Sequence, residues 1–140
     1  MVVGLVMLKE HKSPRGIRNN NPLNIRNNGI KWNGLKESQA DKEFLQFIEA
    51  IFGFRAGARI LKSYAGRGII TLEQIINTWS PDTENDTKSY IKHAATELKI
   101  NQSEPVVFEK WPELLAVMTK HENGYNPYSL EYIRRGIELA

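Results

Sequence analysis

The chain has 140 residues, 41% hydrophobic and 25% charged, a length and mix that suit one globular domain able to bury its own core. It contains no cysteine, which excludes disulfide scaffolds, thiolate zinc sites and cysteine nucleophiles together. Its net charge of +3 is compatible with an anionic polymer as partner but too small to require one.

The first eight residues, MVVGLVML, are apolar with no basic residue before them. They are too short to span a bilayer and lack the charged start of a secretory signal. They are expected to dock on the core as a strand or helix, with no membrane insertion. Residues 9–43 form a polar segment rich in Asn, Gly and Lys, expected to be turns and short extended pieces. Within it, RGIRNNNPLNIRNNG (15–29) places six asparagines between positions 19 and 28. Pro22 and turns at Gly29 and Gly34 argue against any helix before residue 40. The stretch EFLQF (43–47) reads as a short strand.

From about residue 48 the apolar spacing becomes helical. Ile51, Phe54, Ala58, Leu61 and Ala65 form one stripe, ended by Gly66 and Gly68. Thr71 followed by Gln74 is a capping box opening a short helix through Ile75, Ile76 and Trp79, which Pro81 closes. After a turn-rich loop, SPDTEND, Asp86 or Thr87 is expected to cap a helix burying Tyr90, Ile91, Ala94 and Leu98. Pro112 suits the first turn of the next helix, WPELLAVMTKHE, which Gly124 can end in the left-handed conformation. A last helix follows Asn126-Pro127 or Ser129 and carries Leu130, Ile133 and Ile137. The predicted fold is therefore mostly α: one domain over 1–140, with about five helices over 48–140 behind a small polar N-terminal segment that has room for some β structure.

One carboxylate sits oddly in this pattern. At about 100° per residue, Trp111, Leu115, Met118 and Glu122 share one helix face, so Glu122 extends an apolar stripe. It also lies at the helix C-terminus, where the macrodipole disfavours negative charge. Both effects favour the protonated form, as a general acid working near neutral pH requires. His11, His93 and His121 lack ligand spacing, and no phosphate-binding glycine loop, nucleophile elbow or HExxH motif is present. No metal and no cofactor is expected.

The residues after Glu122 extend the argument. HENGYNPYS (121–129) reads Glu-x-Gly-Tyr-Asn-Pro-x-Ser and resembles the signature around the catalytic glutamate of lytic transglycosylases and goose-type lysozymes. The pattern RGIRNNNPLNIR, WNG, Phe44 with Phe47, FGFRAGARIL, Tyr64, QII, Trp79 and ENDT, together with HENG, resembles a family of phage and prophage proteins often described as virion or structural proteins. That resemblance runs from about Gly16 to Glu138. NNPLNIR followed by WNG and by Phe44 and Phe47 is also similar to a cleft-lining segment of flagellar-type glucosaminidases, in which the catalytic glutamate precedes the asparagines. Here Glu122 follows them, an order that a circular permutation of a lysozyme-like fold would reconcile. Such a permutation expects Asn20–Arg26 and Glu122–Asn126 to face one cleft.

These resemblances imply a lysozyme-like domain that cleaves the glycan strand of peptidoglycan, as a lytic transglycosylase or a muramidase or glucosaminidase. Glu122 would be the general acid. Asn20, Asn21 and Asn24 match the motif and would read sugar hydroxyls and N-acetyl groups through donors and acceptors, with Arg26 meeting carboxylates. Asparagine also stabilises turns through its own backbone, and half of the six are expected to do only that. Trp32, Tyr125 and Tyr128 would stack on sugar rings beside Asn126, although Trp32 equally suits the core. No second carboxylate stands out, since Asp41, Glu43, Glu84 and Asp86 have no face argument behind them. One-glutamate chemistry is expected by default. The implied partners are bacterial peptidoglycan and other virion proteins. The implied location is the phage virion or the host cytoplasm, with action at the cell wall. The competing expectation is a non-enzymatic virion protein that binds glycan or other particle components. Nucleic-acid binding has only Arg15, Arg18 and Arg26 behind it, with no aromatic platform interleaved among them.

Overall fold

A computed structural model of the chain describes residues 13–81 and 84–140. The apolar N-terminal stretch, whose docking the sequence suggests, lies outside the described residues.

The described chain is mostly helical, as its periodicity predicts. A one-turn helix α1 (Arg15–Arg18) precedes α2 (Ala50–Gly66), α3 (Leu72–Trp79), α4 (Glu84–Leu98), α5 (Trp111–Asn123) and α6 (Leu130–Glu138). Helix α1 departs from the expectation of no helix before residue 40. Pro14, at φ −55°, directs the chain into the turn. The Arg18 and Asn19 amides then donate to the carbonyls of Pro14 and Arg15. Asn20 ends the turn in the left-handed region, at φ 51°.

The five longer helices start and stop where local chemistry directs, with one exception. The Thr71 capping box forms with both of its bonds, Gly124 caps α5 at φ 84°, and the Ser129 side chain accepts from the Tyr132 amide to open α6. The exception is α4, which already includes Glu84. Asp86 and Thr87 therefore lie inside it, and the Thr87 hydroxyl donates instead to the Ser80 carbonyl, tying α4 back to the end of α3.

The predicted stripes meet in one core. Phe54, Ala58 and Leu61 of α2 are buried with Leu72, Ile75 and Ile76 of α3 and with Tyr90, Ile91, Ala94 and Leu98 of α4. Leu114, Leu115, Val117 and Met118 of α5 and Ile133 and Ile137 of α6 complete it. Ala65 departs from its stripe and is exposed, while Tyr64 takes the buried place one residue earlier. Helix α6 crosses α2 closely at Gly136: a Cβ there would stand 2.7 Å from the Phe54 Cβ.

Among the described residues no strand forms, and EFLQF makes only isolated antiparallel bridges, Phe44 with Arg26 and Phe47 with Leu35. Side-chain amides occupy ladder positions that a second strand would fill. Asn21 donates to both the Ile25 and Leu45 carbonyls, so the polar segment is stitched down by asparagine rather than by sheet. Leu23, Ile25, Leu45 and Phe47 still point into the helical core, which seats this segment against α2 and α5.

Candidate functional site

Helix α5 carries Glu122 to the edge of the core, and the polar segment closes over it. The side-chain amide of Asn24 donates to Glu122 Oε1 at 3.1 Å, across 98 residues of sequence. Asn24 adopts φ 52°, a left-handed conformation that asparagine tolerates better than most residues. The two groups line one cavity of about 300 Å³ with Ile25, Arg26, Phe44, Ile60, Tyr64, Trp79 and Ser80. The cavity thus has an acidic and amide floor, three aromatic walls and a cation at one side.

The electrostatics follow from that lining. Burial against the core pushes the Glu122 carboxyl above its ordinary value, while hydrogen bonding from Asn24 and Trp79 and the Arg26 charge pull the other way. Burial wins. Arg26 is itself 68% exposed, 3.5 Å from Glu43, with its guanidinium 5.0 Å from the centre of the Phe44 ring. Arg15 stands over the same ring at 4.7 Å, so Phe44 carries two cations beside the cavity mouth.

Glu122 is the only carboxylate among the described residues lining the cavity. Asp41 is committed elsewhere. It accepts two 2.7 Å bonds from Arg15, one from Asn19 and two from the backbone amides of Glu43 and Phe44. The Arg15 bonds above all, with those from Asn19 and the two amides, hold its carboxyl far below the usual range. His121 is stacked on Tyr90 with ring centroids 3.7 Å apart. Among the described residues no group of three or more His, Asp or Glu could hold a metal ion.

The asparagine-rich stretch divides by role. Asn24 bonds Glu122, and Arg26 lines the same cavity. Asn20 donates to the Phe47 and Ile48 carbonyls, and Asn21 is fully buried with all its polar atoms bonded to backbone. Asn27 and Asn28 accept from amides two residues on, in the turn role that the sequence also suggests. The remaining predicted binding residues do not line the Glu122 cavity. Trp32 packs against the core with its indole nitrogen buried. Tyr125 is exposed, and Asn126 bonds the backbone of Tyr128. Tyr128 stacks on Tyr132 and meets Phe54 edge-on.

Sequence reasoning missed Phe44, Tyr64 and Trp79 as cavity walls. Trp79 lies at the end of an amphipathic helix and reads as core from spacing alone. Phe44 and Tyr64 fall within the phage-protein pattern but that pattern gives them no role, and their place depends on how the polar segment folds back. The Asn123 side chain was missed as well: it donates to the Pro22 carbonyl at 2.8 Å and the Thr119 carbonyl at 3.0 Å, pinning the polar segment to α5.

No family model matches the chain. Protein P5 of Pseudoalteromonas phage PM2 is 40% identical over 132 residues, an alignment covering 91% of this chain and 82% of the phage protein. With identity and coverage of that extent, the chain belongs to the family of protein P5 of phage PM2.

Proposed function

We propose that this chain is a phage-particle component that engages bacterial cell-wall glycan in the Glu122 cavity, and that Glu122 protonates the glycosidic oxygen there. The observation that carries this reading is the meeting of Asn24 and Glu122 at 3.1 Å in a cavity walled by Phe44, Tyr64 and Trp79. A half-buried carboxyl with a raised pKa keeps its proton nearer to neutral pH, as leaving-group protonation requires. Aromatic walls suit the faces of sugar rings, an amide suits their hydroxyl and N-acetyl groups, and Arg26 suits a lactyl or peptide carboxylate. With a single carboxylate among the described lining residues, the reaction would use one glutamate and let a substrate hydroxyl or a water attack. Kinship with a phage protein supports the particle context.

A second reading keeps the same site and removes the cleavage: a virion protein that holds glycan, or another particle component, in this cavity. The lone carboxylate among the described lining residues favours it, because a cavity without a second carboxylate can bind without cutting. Purified cell walls separate the two. Under the first reading wild-type protein lowers their turbidity and Glu122→Gln does not, with product masses distinguishing anhydro-sugar ends from reducing ends. Equal clearing by both proteins would refute Glu122 as the acid. Wall binding without clearing by either establishes the second reading.

A further inference from the structure

We infer that the side-chain amide of Asn24 reverses when Glu122 takes up a proton, and that Asn123 is the positioning residue that drives the reversal. This rests on the proposed site only in naming what the proton is for; the geometry stands without it.

Two buried acceptors carry the inference. Asn24 Oδ1 and Asn123 Oδ1 are both buried, and among the described residues neither has a hydrogen-bond donor. Both point at the same place. They stand 2.8 and 2.5 Å from the position a Cβ would take on Gly16, with the Asn21 carbonyl oxygen 2.9 Å from it. Three oxygens thus converge on one side of Gly16, and while the Asn21 carbonyl accepts from the Asn24 backbone amide at 3.0 Å, the two side-chain oxygens have no donor among the described residues. Buried polar groups are rarely left so.

Only one of the two amides is free to turn. Asn123 is locked, because its Nδ2 donates to both the Pro22 and Thr119 carbonyls, which fixes its oxygen towards Gly16. Asn24 is held by a single side-chain bond, Nδ2 to Glu122 Oε1. That bond suits a carboxylate, which only accepts. Once Glu122 is protonated its Oε–H donates, and Asn24 can present Oδ1 to receive it. The same half-turn moves the Asn24 N–H groups into the oxygen cluster, facing Asn123 Oδ1 and the Asn21 carbonyl. Both orphaned oxygens then lose their deficit in one movement. Asn123 thereby favours the acid form of Glu122 without touching it.

Other groups face this pair. Arg26 of the polar segment favours the carboxylate, Tyr90 of α4 interacts with it electrostatically, Tyr64 of α2 shares the cavity, and His121 adjoins it on α5. The test must therefore follow Glu122 itself. In the full-length labelled protein, the Glu122 carboxyl carbon and the Asn24 side-chain amide are recorded by NMR across a pH titration. The expected result is one shared midpoint, with a contact between the Asn24 amide protons and Gly16 Hα appearing only below it. In Glu122→Gln that contact should be present at every pH. Asn123→Ala should lower the Glu122 midpoint, with a loss of proton affinity of about tenfold, one pH unit. If Asn123→Ala does not fold, the wild-type and Glu122→Gln spectra decide. An Asn24 amide that stays on Glu122 through the whole titration overturns the inference. So does a contact with Gly16 that is independent of the Glu122 midpoint. Neither readout needs substrate, so loss of wall clearing with an intact amide reversal would refute the enzymatic reading alone.

Discussion

Asn21 offers the sharpest separation between a residue that reads a ligand and one that holds the fold. Its side chain is fully buried, with Nδ2 donating to the Ile25 and Leu45 carbonyls at 2.9 Å and Oδ1 accepting from the Ile25 amide at 3.0 Å. Asn21→Ala leaves the buried Ile25 amide and Leu45 carbonyl to find new partners, while the Ile25 carbonyl keeps the bond it accepts from the Leu45 amide. Each orphaned group costs about 1–3 kcal/mol, and partial relaxation brings the expected loss for the two to about 2–4 kcal/mol. For a chain of this length that corresponds to a fall in Tm of about 6–12 °C. Thermal unfolding followed by circular dichroism measures it directly. A variant that melts within about 3 °C of wild type but no longer binds glycan would refute this reasoning and return Asn21 to a ligand-reading role.

Glu122→Gln and Asp41→Asn should show opposite pH behaviour in chemical denaturation. Burial raises the Glu122 pKa, so wild type loses stability as pH rises from the ordinary carboxyl value of 4.5 through the folded value. The Gln variant has no such slope and should equal or exceed wild type at pH 7; a variant weaker at pH 7 than at pH 4, relative to wild type, would contradict it. Asp41 is held far below its ordinary value of 3.8 by Arg15, so its stabilisation is present above that value and disappears as pH falls. Asp41→Asn should therefore be destabilised at pH 7, with the gap to wild type starting to narrow only below about pH 3.8 and still large at about pH 3.

The helical half was legible because its signals are local. A capping box at Thr71 and Gln74, a proline at the start of α5, a left-handed glycine after it and a serine before α6 each act within four residues. The apolar spacing then names the face that must be buried. Glu122 was legible on the same basis, as a carboxylate on the extension of an apolar stripe. Local signals fell short where the chain's own contacts overrode them: Thr87 reads as a cap but lies inside α4, and Pro14 starts a helical turn in a segment that composition reads as loop.

By itself the sequence determined the five longer helices, the faces they bury and the presence of one acid at the edge of the core, since all of these arise from periodicity and end-capping along continuous chain. Only the tertiary structure decided which asparagine reaches that acid. Asn20, Asn21 and Asn24 share one composition and one motif. Their side chains nevertheless diverge, because Asn20 closes the end of a helical turn, Asn21 fills missing sheet bonds and Asn24 takes a left-handed turn towards α5. Phe44, Tyr64 and Trp79 become neighbours for the same reason. They come from three separate segments, and the burial of Leu23, Ile25, Leu45 and Phe47 against the helices draws the polar segment down and closes the cavity around Glu122.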